Sequence, residues 1–176
     1  MYRLRLLLLL GVCLMFSGCY STKVEHYADQ EPTINLRDFF TGEIRGWGLV
    51  QDRKGRVIKQ FDFDIVGRWD GNNGVLDEEF VYYDGDKQSR SWRIEDLGGG
   101  KYRGEADDVI GEAQISQSGS ALNLRYELVV PIGNSDYRFK FDDWMWRMND
   151  GVVINRAVMR KFGVRVAELT VVMQKQ

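Results

Sequence analysis

The sequence contains few of the side chains that carry nucleophilic and metal chemistry. Among 176 residues there are one histidine and two cysteines. A Ser-His-Asp or Cys-His site needs a histidine beside its nucleophile, and a zinc site built from histidine and cysteine needs several such ligands. His26 lies in a polar stretch near the N-terminus, and Cys13 lies within an apolar run. We therefore predict no catalytic residue, no metal site and no cofactor, and we expect that the protein is not an enzyme.

Motifs and charge for phosphate or nucleic-acid binding are also missing. Gly98-Gly99-Gly100 lacks the Lys-Ser/Thr pair of a phosphate-binding loop. The Gly-x-Ser-x-Gly motif that carries the nucleophile of serine hydrolases is also absent. The formal net charge of −2 argues against electrostatic binding of nucleic acid. Proline is also scarce, since only Pro32 and Pro131 occur and neither interrupts a candidate strand.

The first residues have the pattern of a secretory signal. Two arginines precede an apolar run that is too short for a membrane-spanning helix of ~20 apolar residues. Ser17-Gly18-Cys19 resembles the lipobox of bacterial lipoproteins, whose cysteine carries acyl chains such as palmitate. We predict a lipoprotein signal peptide over residues 1–18 and lipidation of Cys19. Because Tyr20 rather than Asp follows, this resemblance implies the periplasmic face of the outer membrane of a Gram-negative bacterium.

The remaining chain is expected to form one domain behind a linker. Residues 19–32 are polar and without periodicity, which predicts a flexible tether behind the lipidated cysteine. Residues 33–176 have the usual length of a single domain. Within them, residues 33–40 are expected to form a short helix or turn that docks Phe39 and Phe40.

From residue 44 onward, apolar and polar residues alternate between turn signals. Phe61, Phe63 and Ile65 share one face of a candidate strand, and Leu124 and Tyr126 share a face in another. A period of two indicates sheets with one buried face. Because short sequential connections favour neighbouring antiparallel strands, we predict an all-β, antiparallel up-and-down barrel of lipocalin/calycin type with about nine or ten strands. A two-sheet sandwich is the alternative.

Several motifs together resemble one known family. They are Phe39-Phe40-Thr41-Gly42, Gly46-Trp47-Gly48, Gly74-Val75-Leu76-Asp77-Glu78, Tyr102-Arg103-Gly104-Glu105-Ala106, Asp108-Val109-Ile110-Gly111 and Phe141-Asp142-Asp143-Trp144-Met145. Over nearly its whole length the chain resembles DUF3833, a bacterial lipoprotein family of unknown function. The resemblance implies no activity, because none is assigned to the family. Gly46-Trp47 is also similar to the start of lipocalin-like barrels, which is an analogy of fold alone.

Charged side chains occupy strand positions at which apolar ones are expected. Glu78 and Arg90 fall on the apolar faces of consecutive candidate strands and are expected to be diagonal neighbours across a hairpin. Asp143 continues an apolar alternation, and Arg156 lies in a strand with two mixed faces. We hypothesise that Glu78, Arg90, Asp143 and Arg156 form a polar cluster inside the barrel that binds a ligand head group. The other interpretation is structural, with Glu78 and Arg90 as an ion pair or at the rim.

These features predict non-catalytic binding or carriage of a small apolar, lipid-like ligand in the barrel. The alternative is a tethered interaction module of an envelope complex, with a packed barrel and an exposed aromatic patch around Trp144 and Trp146. A third possibility, an enzyme that uses carboxylates, requires two acids in one cleft and a raised pKa on one of them. The expected partners are the membrane, through the lipid on Cys19, and either the ligand or an envelope protein.

Overall fold

Ten strands form a closed barrel in the computed structural model, which describes residues 22–176. The strands are β1 (Gly42–Asp52), β2 (Val57–Asp70), β3 (Asn73–Tyr82), β4 (Lys87–Gly98), β5 (Lys101–Glu105), β6 (Ala113–Ser118), β7 (Ala121–Ile132), β8 (Ser135–Arg147), β9 (Val152–Lys161) and β10 (Val164–Lys175). Each strand pairs antiparallel with its sequence neighbours, and β1 pairs with β10 to close the barrel. The predicted up-and-down barrel is confirmed, and the alternative of a two-sheet sandwich is wrong. Closure leaves no unpaired edge among the described strands.

The alternation in the sequence corresponds to the two faces of the barrel wall. In β2, Phe61, Phe63 and Ile65 are buried in the lumen, whereas Asp62 and Asp64 lie on the outer face. Because successive strand residues point to opposite faces, an apolar residue at every second position fills the interior of a small barrel.

Two glycines in β1 make room for aromatic rings in the lumen. Gly46 and Gly48 lie opposite Phe63 and Phe61 in the β1–β2 register. A Cβ atom on Gly46 would stand 2.2 Å from the Phe63 ring, and one on Gly48 would stand 2.3 Å from the Phe61 ring. Both distances are far inside van der Waals contact. The inward glycines of this motif therefore accept the rings, while Trp47 between them lies on the outer face.

A short helix closes one end of the barrel. This helix, α1 (Leu36–Phe39), begins after Asn35, whose side-chain oxygen accepts a hydrogen bond from the Asp38 N–H at 3.0 Å. Its apolar side chains and Phe40 are buried in the larger of two apolar clusters. The predicted short helix or turn that docks two phenylalanines is confirmed.

The two apolar clusters fill different levels of the barrel. The cluster beneath α1 includes Met145 of β8, and the second cluster includes Phe139 and Phe141 of the same strand. Asp143 lies between them along β8, and it is buried. A polar level therefore separates two apolar levels, and this level contains the candidate site.

The segment before α1 packs on the outside of the barrel. A 3-10 helix, Val24–Tyr27, buries Val24. The Tyr27 ring centroid lies 5.9 Å from that of Trp144 and 6.4 Å from that of Trp146. Trp144 and Trp146, the tryptophan pair, stack on each other with centroids 6.1 Å apart. The N-terminal segment therefore covers part of an aromatic surface on β8.

This packing revises part of the predicted flexible tether over residues 19–32. Its described part, residues 22–32, contains the 3-10 helix, which contacts β6 and β7. The polar composition of the stretch gave no indication of this contact. The predicted signal peptide over residues 1–18 and the predicted lipidation of Cys19 lie outside the described residues. From residue 22 to the C-terminus, no helix has the length and apolar character needed to cross a membrane.

Candidate functional site

A cavity of about 110 Å³ lies in the barrel lumen. Most of its wall is apolar or aromatic, as is typical of small-molecule sites. Five polar side chains interrupt this wall: Glu78, Arg90, Tyr126, Asp143 and Asn155. The volume is below the ~150 Å³ of an apolar cavity that holds benzene. As described, the cavity therefore accepts a group about as large as a short alkyl chain or a small ring.

Arg90 is the central cation of this wall. It lies directly opposite Glu78 in the β3–β4 register, rather than diagonally as predicted. The Arg90 Nη1 and Glu78 Oε2 atoms are 3.9 Å apart, and both side chains are mostly buried. Asp108, in the loop between β5 and β6, accepts hydrogen bonds from Arg90 Nε at 3.1 Å and from Arg90 Nη2 at 2.5 Å. Such a bidentate pair is strong and directional, so Asp108 fixes the orientation of the guanidinium.

Asp143 lies on the other side of the wall and is held by neutral donors. It is 5% exposed. Its carboxylate accepts a hydrogen bond from the Tyr126 hydroxyl at 3.2 Å and another from the Asn155 side-chain amide. The same Asn155 nitrogen donates to the Trp144 carbonyl oxygen at 3.0 Å. Both neutral donors therefore already have acceptors within the protein.

Burial dominates the protonation of the two carboxyls. It raises the pKa of Glu78 from 4.5 to about 7, although the charge of nearby Arg90 acts in the opposite direction. It also raises the pKa of Asp143 from 3.8 to about 7, against the hydrogen bonds from Asn155 and Tyr126. Burial raises the pKa of Tyr126 well above its ordinary value, so the phenol is neutral at physiological pH. Both carboxyls therefore hold their protons to a higher pH than exposed carboxyls do.

Of the four residues predicted to form a polar cluster, three lie at the cavity and one does not. Glu78, Arg90 and Asp143 line the same cavity. The prediction that Arg156 belongs to the cluster is wrong, because its exposed side chain lies on the outer face of β9 and pairs with Glu168 at 2.8 Å.

Three cluster residues were not predicted. Asn155 occupies the inward position beside Arg156, between the buried Val153 and Ala157. The sequence does not distinguish the two, because Arg156 also lies between apolar residues, Ile154 and Val158. The alternation predicts only that Tyr126 shares a strand face with Leu124, and it gives no sign of the hydrogen bond from the Tyr126 hydroxyl to Asp143. Asp108 reaches Arg90 from a loop, where strand alternation gives no information about the direction of a side chain.

A second candidate surface lies on the outside of the barrel. The outer apolar row consists of Trp47, Val172, Ile154 and Trp146, which follow one another in the registers of β1, β10, β9 and β8. The first three are 42%, 39% and 36% exposed. Contiguous exposed apolar residues are typical of interaction surfaces. The row continues into the tryptophan pair that Tyr27 partly covers.

Comparisons with known proteins identify the fold but no activity. The family model described as "Protein of unknown function (DUF3833)" matches residues 13–175. No curated protein matches the chain. Among solved structures, the barrel is similar to an S-type phycobiliprotein lyase from Guillardia theta, with a TM-score of 0.56 and 7% sequence identity. The alignment covers 89% of this chain and 99% of the lyase chain, so the two share an overall fold.

Proposed function

The chain belongs to the DUF3833 family of proteins of unknown function, and we propose that its barrel binds a small, largely apolar ligand with one polar group. The polar level in the middle of the lumen carries this proposal. Buried ionisable groups are unfavourable unless they are paired, and an apolar core of the same volume would be at least as stable. A cavity that adjoins three such groups is therefore better explained by a ligand than by packing.

The volume restricts the size of the ligand. Phe61 and Phe63 occupy much of the lumen and leave about 110 Å³. Pockets for drug-sized molecules measure ~300–1,000 Å³. This packing weighs against the carriage of a whole long-chain lipid and supports a ligand about the size of a short alkyl chain. A longer lipid-like molecule would require these rings to rotate out of the lumen.

We propose a binding role rather than catalysis. Glu78 and Asp143 meet the condition of two acids at one cavity, each with a raised pKa. Carboxylate catalysis of hydrolysis also needs room for the substrate and an attacking water between the acids. A cavity of about 110 Å³ is too small for a sugar ring together with that water.

We also propose that acyl chains on Cys19 hold the barrel at the periplasmic face of the outer membrane. Two or more acyl chains make such anchoring stable. The proposal rests on the signal-like N-terminus and the lipobox-like Ser17-Gly18-Cys19. Labelling cells with palmitate should label the wild-type protein and not the Cys19→Ala variant, which should leave the membrane fraction. Equal labelling of the two proteins would contradict it.

Binding in the lumen is tested by NMR of methyl-labelled protein, using the chain from Tyr20 onward. Short-chain alcohols and amines should shift the lumen methyl signals of Leu124 and Ile115, which line the cavity. Leu169→Phe fills the cavity and should abolish these shifts. Val172→Phe adds the same ring on the outer face of the same strand and should preserve them. Shifts that persist in Leu169→Phe, or their absence in the wild type, would contradict binding in the lumen.

The outer apolar row supports a second candidate, an interaction module that contacts the apolar face of an envelope protein. A photocrosslinker at Ile154 should then produce one discrete protein adduct in cells, and Trp47→Ser should reduce that adduct. Crosslinks only to lipid, or no crosslink at all, would contradict a protein partner. This candidate makes no claim about the lumen, so the NMR experiment tests ligand binding and the crosslinking experiment tests the interaction surface independently.

A further inference from the structure

The hydrogen-bonding capacity of the cavity wall indicates which chemical group it accepts. Resting on the proposed lumen-binding function, we propose that the ligand is a small aliphatic amine that binds as its ammonium cation, with the charged group facing Glu78 and Asp143. Both carboxyls line the cavity. The charge of Arg90 lowers the pKa of each of them, and the charge of Asp143 raises the pKa of Glu78. The short apolar substituent of the amine would occupy the aromatic part of the lumen.

The two neutral donors of the wall are already engaged. The Tyr126 hydroxyl donates to Asp143, and the Asn155 amide nitrogen donates both to Asp143 and to the Trp144 carbonyl oxygen. An amide nitrogen has two hydrogens, and a hydroxyl has one. Their donor capacity is therefore used within the protein. The remaining capacity of these groups is to accept hydrogen bonds, so a ligand that donates is complementary to them.

The charges of the wall also exclude an anion. Arg90 is the single cation among the described residues that line the cavity, and it is shared between a bidentate contact with Asp108 and an ion pair with Glu78 at 3.9 Å. One guanidinium therefore serves three carboxyls, those of Asp108, Glu78 and Asp143. A carboxylate or phosphate ligand would be repelled by the ionised carboxyls and would compete with Asp108 and Glu78 for Arg90. An ammonium group instead adds the positive charge that this excess of carboxyls favours.

Protonation gives this binding mode a measurable signature. Four titratable or charged side chains line the cavity that the ammonium group would enter: Glu78, Arg90, Tyr126 and Asp143. Asp108 lies behind them and contacts Arg90. Burial, only partly offset by Arg90 and by hydrogen bonds, raises the pKa of Glu78 and of Asp143 to about 7. A bound cation favours the ionised carboxylates, so the amine should expel protons from the site near neutral pH. A neutral alcohol should not do so.

The test is calorimetry with three probes that share a four-carbon chain: butylamine, butanol and butyrate. Titrations at pH 7 in two buffers of different ionisation enthalpy measure both affinity and proton release. Butylamine should bind at least about tenfold more tightly than butanol, with net release of protons, and butyrate should bind more weakly than either. Glu78→Gln and Asp143→Asn should each weaken butylamine by about tenfold or more and should weaken butanol by a smaller factor, because butanol carries no charge. Glu79→Gln, on the outer face of the same strand, is the matched control and should leave both unchanged.

The outcomes separate this inference from the proposed function. Butanol or butyrate binding as tightly as butylamine would overturn the amine assignment while leaving a ligand-binding lumen. Amine binding that is unchanged in both Glu78→Gln and Asp143→Asn would also overturn it. Absence of binding by all three probes would overturn the amine assignment together with lumen binding. Methyl NMR spectra of each variant establish that the barrel is folded.

Discussion

Replacing Glu78 by Gln should make the stability of the protein less dependent on pH. The substitution keeps the shape of the side chain and removes its titration. Arg90 retains its bidentate contact with Asp108, so the change does not leave a guanidinium without a partner. The variant therefore isolates the contribution of one buried carboxyl to the free energy of unfolding.

The sign of the effect follows from the direction of the pKa shift. Burial raises the pKa of Glu78 from 4.5 in water to about 7 in the folded protein. Between these values, the folded state binds a proton that the unfolded state has released, so the free energy of unfolding decreases as pH rises. Each pH unit in this window corresponds to about 1.4 kcal/mol, which gives a total of about 3 kcal/mol. Below pH 4.5 both states are protonated, and above pH 7 both are ionised.

The assay is urea unfolding followed by tryptophan fluorescence between pH 4.5 and pH 8. Glu78→Gln should match the wild type at pH 4.5 and exceed its free energy of unfolding by about 3 kcal/mol at pH 8. Glu79→Gln, whose side chain is exposed on the same strand, should remain close to the wild type throughout. A difference between Glu78→Gln and the wild type that does not change with pH would refute the account of the buried carboxyl.

Three further predictions concern the contacts around the cavity and α1. Arg90→Met should reduce the free energy of unfolding by about 3 kcal/mol at pH 8, because it leaves buried carboxylates unpaired. Arg90→Met should therefore cost less in an Asp108→Asn background than in the wild type, and an equal loss in the two backgrounds would contradict this cause. Gly67→Ala should lower the free energy of unfolding, measured with urea, by more than about 2 kcal/mol. The new Cβ atom would stand 1.5 Å from the carbonyl oxygen of Phe40, the residue after α1. Gly104→Ala is the control, because its nearest contact is 3.3 Å, and equal losses at the two glycines would contradict the packing argument. Tyr27→Ala should increase acrylamide quenching of the tryptophan pair, and unchanged quenching would show that the N-terminal segment does not cover it.

The barrel was predictable because a single regularity determines it. From Phe61 to Ile65 in β2 and from Leu122 to Val130 in β7, every second residue is apolar, and the alternation identifies the inward face without knowledge of strand partners. Short turns between these stretches then imply antiparallel neighbours. The same reasoning placed Glu78 and Asp143 on inward positions, and the structure places both at the cavity.

The rest of the site depends on contacts that alternation does not encode. Asp108 approaches Arg90 from a loop, and the direction of a loop side chain follows from the folded backbone rather than from a period of two. The prediction for Arg156 was wrong because both faces of β9 carry a polar residue between apolar ones, so the pattern does not show that Asn155 is the inward residue. The volume of the cavity depends on how Phe61 and neighbouring rings pack, which the sequence pattern does not specify.

The most direct test of lumen binding is native mass spectrometry of the chain from Tyr20 onward, produced in the periplasm and purified without detergent. The account predicts a discrete low-mass adduct on the wild-type protein and on Val172→Phe, and its loss in Leu169→Phe. Identification of the released molecule as an amine would also support the charge argument from Glu78 and Asp143. A mass equal to that of the bare polypeptide in all three proteins, together with no response of the lumen methyl groups to added probes, would contradict the proposed function.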